Sequence, residues 1–174
     1  MFILRPPVRV NPDFNKTTPT VRIANHADEL ELRNLLDRLH ADNPNPAGLP
    51  ASDKKVWEVV MAACRGQGGI AGVVDGPEGG IIASIGMFWM VPWWTDVGCI
   101  SEYWCYVDKE HRRGGRLYKA LVAFAKTHRD EMSRRLGYKV GMEFSFLSSK
   151  RIDARARLWG KEAQLVGALF WAGD

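Results

Sequence analysis

A strand that runs directly into a glycine-containing turn and then a long helix constrains this chain more than any other feature. Residues 99–107 are rich in aromatic and β-branched side chains, a composition that favours a β-strand. After the turn, side chains recur at the spacing of one helical face: Leu117, Ala120, Leu121, Phe124, Ala125 and His128. The end of the strand and the first turn of the helix are therefore expected to lie together, with one face of the helix buried.

The same periodicities predict the remaining elements, in the order β-α-α-β-β-β-α-β-α-β. Besides residues 99–107, strands are expected at Val21–Ala24, Ile70–Val74, Ile81–Met90, Lys139–Leu147 and about Gln164–Trp171. Helices are expected across Leu32–Leu39, from the N-cap Ser52 to about Cys64, from Gly115 onward and at about Ser149–Trp159. A length of 174 residues suits one core, so residues 21–174 are predicted to form a single domain. Residues 1–20 carry four prolines and are predicted to form an extended arm.

The composition excludes several classes of protein. No apolar stretch approaches the roughly 20 residues of a membrane-spanning helix, and the N-terminus lacks the pattern of a secretory signal, so a cytoplasmic location is expected. Cys64, Cys99 and Cys105 have no C-x-x-C spacing and the histidines have no metal-like spacing, so we expect reduced thiols and no metal. The formal charge of +4 suits an anionic partner without identifying it.

The turn between the strand and the helix is the best candidate for an anion site. The first turn of a helix presents backbone N–H groups without intrahelical partners and a partial positive charge, and Gly114-Gly115 lets an anion approach the backbone. Four basic residues add formal charge there: Arg112, Arg113, Arg116 and Lys119. The alternatives are a merely solvated helix start and a nucleic-acid surface that also uses Arg134 and Arg135.

The stretch Arg112-Arg113-Gly114-Gly115-Arg116-Leu117 resembles the signature of the GNAT N-acetyltransferases. That signature reads Arg or Gln, two residues, Gly, one residue, then Gly or Ala; Arg112 and Gly115 match it, and Leu117 stands at the place of the small residue. The resemblance implies an α+β fold (a mixed α/β three-layer fold) over residues 21–174, with a central, mostly antiparallel sheet flanked by helices.

The resemblance also implies a cofactor, acetyl-CoA, and a way to bind it. Its pyrophosphate would contact the backbone N–H groups of the loop, contributed by Arg112, Arg113, Gly114, Gly115, Arg116 and Leu117. Its pantetheine arm would pair like an extra strand with Trp104, Cys105, Tyr106 and Val107. The implied reaction is direct transfer of an acetyl or other acyl group to an amine.

A general base is useful for that reaction, because an ordinary amine is almost entirely protonated at neutral pH. The resemblance assigns this role to Glu102, with Glu143 in reserve; the alternative for Glu102 is an ion pair with an arginine.

The general acid of the family is usually a tyrosine, and this chain has Trp159 at that position. Ile152 replaces an asparagine of the same pattern. Indole cannot protonate a leaving thiolate, so another group must do so, or the thiolate leaves unaided. The candidates for that acid are Tyr103, Tyr106 and Ser149.

Two further questions stay open on the sequence alone. The departures at Ile152 and Trp159 also fit a module that binds acyl-CoA without catalysing transfer. Aromatic residues gather at the end of one strand and in the following loop, including Trp93 and Trp94; they are expected to be core, a subunit contact in a homodimer, or part of the acceptor pocket. The acceptor is not identified by the sequence.

Overall fold

The computed structural model describes residues 19–43 and 50–143, which form a five-stranded sheet with helices on both faces. In chain order the elements are β1 Arg22–Ile23, α1 Glu29–Asp42, α2 Asp53–Cys64, β2 Gly69–Asp75, β3 Ile81–Met90, β4 Cys99–Val107, α3 Arg116–Leu136 and β5 Gly141–Glu143. The expected α+β class, with a mostly antiparallel central sheet, is confirmed: strands follow the order β1-β2-β3-β4-β5, antiparallel except for the parallel pair β4 and β5.

The predicted bounds hold closely in the middle of the chain. Residues 81–90 and 99–107 are strands over the predicted ranges, and α2 begins after Ser52, whose hydroxyl accepts a hydrogen bond from the backbone N–H of Lys55 at 3.4 Å. The first strand is shorter than expected, because only Arg22–Ile23 pairs with β2. The rest of the strand predicted at 139–147, the elements predicted at 149–159 and 164–171, and the arm up to residue 18 lie outside the described residues.

Two apolar clusters, one on each face of the sheet, make the core. Residues Leu32, Leu35 and Leu36 of α1 and Val60 of α2 pack with one face of the sheet, including Trp104 and Tyr106. On the opposite face, α3 packs through Leu117, Leu121, Val122 and Ala125. Apolar residues recur at helical spacing in the helices and at every second position in the strands. The apolar faces that they form pack against each other in three layers.

The pairing of β3 with β4 contains a bulge at Tyr103. Gly86 lies opposite Trp104, whereas the next residue, Met87, lies opposite Glu102, so Tyr103 has no partner of its own on β3. One extra residue reverses the alternation of side chains along the strand. The alternation of β4 side chains that point toward α3 is therefore shifted by one residue at the bulge.

Candidate functional site

The connection from β4 to α3 folds as two short 3-10 turns, Lys109–His111 and Arg113–Gly115. Asp108 caps the first turn by accepting a hydrogen bond from the backbone N–H of Lys109 at 2.9 Å. The second turn ends at the N-cap of α3, Gly115. The strand, the loop and the first turn of the helix therefore form one continuous unit, as the sequence predicts.

Both glycines of the loop have left-handed backbone conformations. Gly114 has φ of 72° and Gly115 has φ of 65°, a region that costs other residues roughly 1–2 kcal/mol each. A Cβ at either position would meet no atom within 4 Å, so steric crowding is not the reason for glycine here. The backbone conformation demands the glycines, and the open space next to them leaves the loop accessible to a ligand.

Leu117, which replaces the family's small residue, is buried in the core against the sheet. Its side chain therefore points away from the open side of the loop. The first N–H groups of an α-helix have no acceptor in the preceding turn of that helix, so backbone donors for an anion are expected at the start of α3. The larger side chain at this position is compatible with an anion at the helix N-terminus.

The side chain of Arg112 turns back from the loop toward α1. Its Nε donates to the backbone carbonyl of Val107 at 2.8 Å, and its terminal nitrogen donates to a carboxylate oxygen of Asp42 at 2.7 Å. The guanidinium also lies over the ring of Tyr106, 5.2 Å from its centroid. This side chain holds the loop to the strand and to α1, which leaves the backbone of the loop as the candidate contact for an anion.

Asp42, which the sequence did not point to, lies at the centre of this arrangement. Tyr106 donates its hydroxyl proton to Asp42 at 2.8 Å, and the Lys109 ammonium lies 2.5 Å from the other carboxylate oxygen. The hydrogen bond from Lys109, with those from Tyr106 and Arg112, lowers the pKa of Asp42. Asp42 is 64 residues before Tyr106 in the chain, so no local pattern could have paired them.

The predicted pantetheine strand has its side chains packed into the core. Trp104, Cys105, Tyr106 and Val107 are all buried, and the indole N–H of Trp104 donates to the Ser84 hydroxyl at 3.1 Å. Their backbone is thus the part that a ligand could contact. In the described ranges, the ladder between β4 and β5 covers Cys99–Ser101 with Gly141–Glu143.

The bulge separates the two candidate catalytic residues of β4. Glu102 is only 4% exposed and lies opposite Met87, which belongs to the core beneath α3. Tyr103 is exposed, and its ring lies 4.4 Å from that of Phe88. Glu143, the reserve base, lies opposite Ser101 and is exposed. Glu102 and Tyr103 are adjacent in sequence, yet only the second is open to solvent.

Tyr106 is poorly suited to act as the general acid. Burial, with the hydrogen bond to Asp42, raises the pKa of Tyr106 to about 12, whereas a free thiol has a pKa of about 8.5. Proton transfer from this phenol to a leaving thiolate would be uphill by roughly three to four pKa units. Tyr103 is the remaining candidate among the described residues; Ser149, Ile152 and Trp159 lie outside them.

The three cysteines are free and buried. Burial raises the pKa of Cys99 and raises that of Cys64 to about 12, so neither is a thiolate near neutral pH. The described residues contain no group of three or more histidine, cysteine or carboxylate side chains that could hold a metal ion. In residues 19–43 and 50–143, no helix is both long and apolar enough to cross a membrane.

Several solved structures superpose on this chain over nearly their whole length. A possible acetyltransferase from Clostridium difficile 630 has a TM-score of 0.64 and 18% identity, covering 91% of this chain and 98% of its own. An aminoglycoside acetyltransferase from an uncultured soil metagenomic sample, in complex with sisomicin, has a TM-score of 0.62 and 11% identity, covering 90% and 96%. A GNAT family acetyltransferase from Staphylococcus aureus has a TM-score of 0.53 and 18% identity, covering 90% and 100%.

This chain has the GNAT fold. The sequence itself matches no protein-family model and no curated protein, so the likeness is one of tertiary structure. Within the GNAT fold, the described residues bring the predicted loop, Arg112–Leu117, to the end of the predicted pantetheine strand, Trp104–Val107.

The exposed aromatic residues lie away from the GNAT core. Trp93 is 92% exposed and Trp94 is 65% exposed, and their rings meet edge to face with centroids 5.6 Å apart. Both stand in the loop between β3 and β4, at the opposite end of β4 from Arg112. Three roles were expected for these tryptophans. Their exposure excludes a position in the core, whereas a contact between subunits and a contact with the acceptor remain.

Proposed function

We propose that this protein is an N-acetyltransferase that transfers an acetyl or related acyl group from acyl-CoA to an amine. The observation that carries the proposal is the loop after β4, where Gly114 and Gly115 take left-handed conformations immediately before the first turn of α3, in a chain with the GNAT fold. Such a helix start favours a phosphate electrostatically and by hydrogen bonding. The pyrophosphate of coenzyme A is the anion that this fold family binds there.

The cofactor's pantetheine arm would run along the backbone of residues 104–107. Because their side chains are buried, the recognition of this arm would depend on main-chain hydrogen bonds, as when an added strand extends a sheet. Val107 is five residue steps along the strand from Glu102, a length of about 17 Å. The thioester would then lie near the bulge at Tyr103, where β4 is irregular.

At the bulge, Glu102 would serve as the general base. Its carboxylate is nearly inaccessible to solvent, so we infer that a water molecule carries the proton from the amine to Glu102. The neutral amine attacks the thioester carbonyl carbon and a carbon–nitrogen bond forms. The nitrogen then loses its extra proton to water, and the carbon–sulfur bond breaks as the thiolate leaves. Tyr103, exposed beside the bulge, would return a proton to that sulfur.

The acceptor is proposed to be an amine. Structures of the same fold include an aminoglycoside acetyltransferase in complex with sisomicin and a ribosomal-protein-alanine N-acetyltransferase from Brucella melitensis. The names of these two proteins indicate two different kinds of amine acceptor, a small molecule and a protein. The proposal for this chain is accordingly limited to the amine group, and a cytoplasmic location is proposed with it, because acetyl-CoA is used inside the cell.

The distribution of basic residues does not favour a nucleic-acid surface. Arg116 begins α3 and Arg134 lies near its other end, about 27 Å away at the usual rise of a helix. Arg112 is engaged with Asp42. Arg116 and Arg134 thus lie too far apart to form one patch, and only Arg116 adjoins the glycine loop.

Calorimetric titration with acetyl-CoA tests the cofactor site. We expect saturable binding by the wild-type protein, and binding weakened about tenfold in Arg116→Ala, which removes a charge at the phosphate end of α3. Arg134→Ala is the matched control, because it removes the same charge from the other end of the same helix. If folded wild-type protein gives no heat and no thermal stabilisation at millimolar acetyl-CoA, the proposal is wrong.

A thiol-release assay tests transfer. With acetyl-CoA present, a panel of amines that includes aminoglycosides and N-terminal alanine peptides should contain at least one that accelerates release of free coenzyme A. Binding without acceleration by any amine would support the non-catalytic module instead.

A further inference from the structure

The last turn of α1 is joined to the candidate cofactor loop by a single carboxylate. Asp42, the final residue of α1, accepts hydrogen bonds from Tyr106 at 2.8 Å and from Arg112 at 2.7 Å on the same oxygen. Its second oxygen lies 2.5 Å from the Lys109 ammonium. One side chain thus contacts the end of β4, the first short turn and the beginning of the loop.

The position of Asp42 in its helix is electrostatically unfavourable. The C-terminus of an α-helix carries partial negative charge, which disfavours a carboxylate there. The side chain is also only 10% exposed, so solvent screens it weakly. Two cationic donors and a phenol compensate for both costs. Such a concentration of donors on one carboxylate indicates that the contact fixes the position of the chain segments that supply them.

The partners of Asp42 are themselves tied to the loop. Arg112 spans from Asp42 to the carbonyl of Val107, which closes the turn between the end of β4 and the glycines. One helical turn before Asp42, Arg38 pairs with Asp108 at 2.8 Å and donates to the carbonyl of Ile81 at 3.2 Å. The end of α1 therefore holds the loop at two points along its length.

We propose that Asp42 is a positioning residue for cofactor binding. By fixing Lys109, Arg112 and Tyr106 on the α1 side of the loop, it keeps the segment that leads into Gly114 and Gly115 ordered before the cofactor arrives. A site that is ordered in advance loses less conformational entropy on binding. This inference rests on the proposed function, because it assigns a role to Asp42 in a site for acyl-CoA.

Three variants and two measurements, with the melting temperature as a control for stability, test the role of Asp42. Asp42→Ala removes all its acceptors, Asp42→Asn keeps one acceptor oxygen without the charge, and Asp28→Ala is the matched control. Asp28 is also a buried carboxylate of the same helix region, paired with Arg22 at 2.7 Å, but it lies at the opposite end of α1. Each folded variant is titrated with acetyl-CoA, and hydrogen exchange of residues 109–117 is followed in the free protein.

We expect Asp42→Ala to bind acetyl-CoA about tenfold more weakly than wild type and Asp42→Asn to recover part of that loss. Exchange of the loop amides should become faster in Asp42→Ala. Asp28→Ala should lose thermal stability, but its affinity for acetyl-CoA and the exchange of its loop amides should stay as in wild type. A purely structural role would lower the melting temperature of both alanine variants and leave the affinity of the folded proteins equal.

The two measurements separate the possible failures. If wild-type protein binds acetyl-CoA and Asp42→Ala binds it equally well, the role of Asp42 is refuted while the proposed function stands. If wild-type protein does not bind acetyl-CoA, the proposed function fails and the role of Asp42 in it fails too, whatever the exchange of the loop shows. Equal loss of affinity in Asp28→Ala and Asp42→Ala would also overturn the inference.

Discussion

Glu102 lies directly opposite Met87 across the β3–β4 ladder, although Trp104 lies opposite the adjacent residue, Gly86. Side chains of directly opposed residues share a face of the sheet, so Glu102 lies on the face that packs against α3. Without the bulge at Tyr103, the alternation that places Cys105 and Val107 on this face would have placed Glu102 on the other. The bulge therefore determines the surroundings of the proposed base.

Replacing Glu102 by Gln should reduce kcat by about 100-fold, because a positioned general base commonly contributes 10²- to 10⁴-fold. The affinity for acetyl-CoA should stay within about twofold of wild type. The measurement is steady-state kinetics with the best amine from the screen, together with a binding titration. Glu143→Gln is the control with a neighbouring carboxylate. Full activity in Glu102→Gln, with a large loss in Glu143→Gln, would transfer the role to Glu143.

Replacing Gly115 by Val should destabilise the protein and weaken acetyl-CoA binding. A β-branched residue is strained at φ of 65°, and the cost should be roughly 1–2 kcal/mol in the free energy of unfolding. Gly137→Val is a matched control, because Gly137 has φ of 75° and similarly open surroundings at the C-terminus of α3. Chemical denaturation and calorimetry should show similar stability losses in the two variants. Only Gly115→Val should lose affinity, and equal affinities would remove the loop from the cofactor site.

The stability of the protein should fall at alkaline pH through Tyr106. Its pKa is about 12 in the folded protein and about 10 in the unfolded chain, so its contribution is fully present below pH 10. Between roughly pH 10 and 12 the unfolded state releases this proton first, and the stability contribution is lost. The difference in unfolding free energy between wild type and Tyr106→Phe should therefore shrink over this range. Tyr103→Phe, at an exposed position, is the control, and a parallel decline in wild type and Tyr106→Phe would contradict the assignment.

The exposed tryptophans should mediate self-association. Trp93 and Trp94 form an apolar, edge-to-face pair on the surface, and such a surface is commonly covered by another protein molecule. Sedimentation velocity of the wild type should show a dimer that dissociates on dilution, and the double change to Ser should yield monomer at the same concentration. Tyr138→Ser, at another exposed aromatic residue, should leave the dimer intact. Monomeric wild-type protein at high concentration would favour the acceptor interpretation of the two tryptophans instead.

Local patterns in the sequence determined most of the described elements. The alternation in residues 81–90 and 99–107, the apolar stripe after Gly115 and the cap at Ser52 all depend on neighbours within a few residues. The glycine loop was recognisable for the same reason, since the backbone conformation of Gly114 and Gly115 is a local property. These features follow from spacing and residue type alone.

Tertiary structure alone decided how the site is held and which side chains face it. Asp42 meets Arg112 across 70 residues of sequence, and the bulge at Tyr103 appears only when β4 is paired with β3. Both depend on contacts between distant segments, whose geometry is set by the packing of the whole core and leaves no periodic signal in the chain. The sequence by itself thus determined the glycine turn at which an anion is proposed to bind, whereas the fold decided that the Arg112 side chain holds the loop to α1 and that Glu102 is buried.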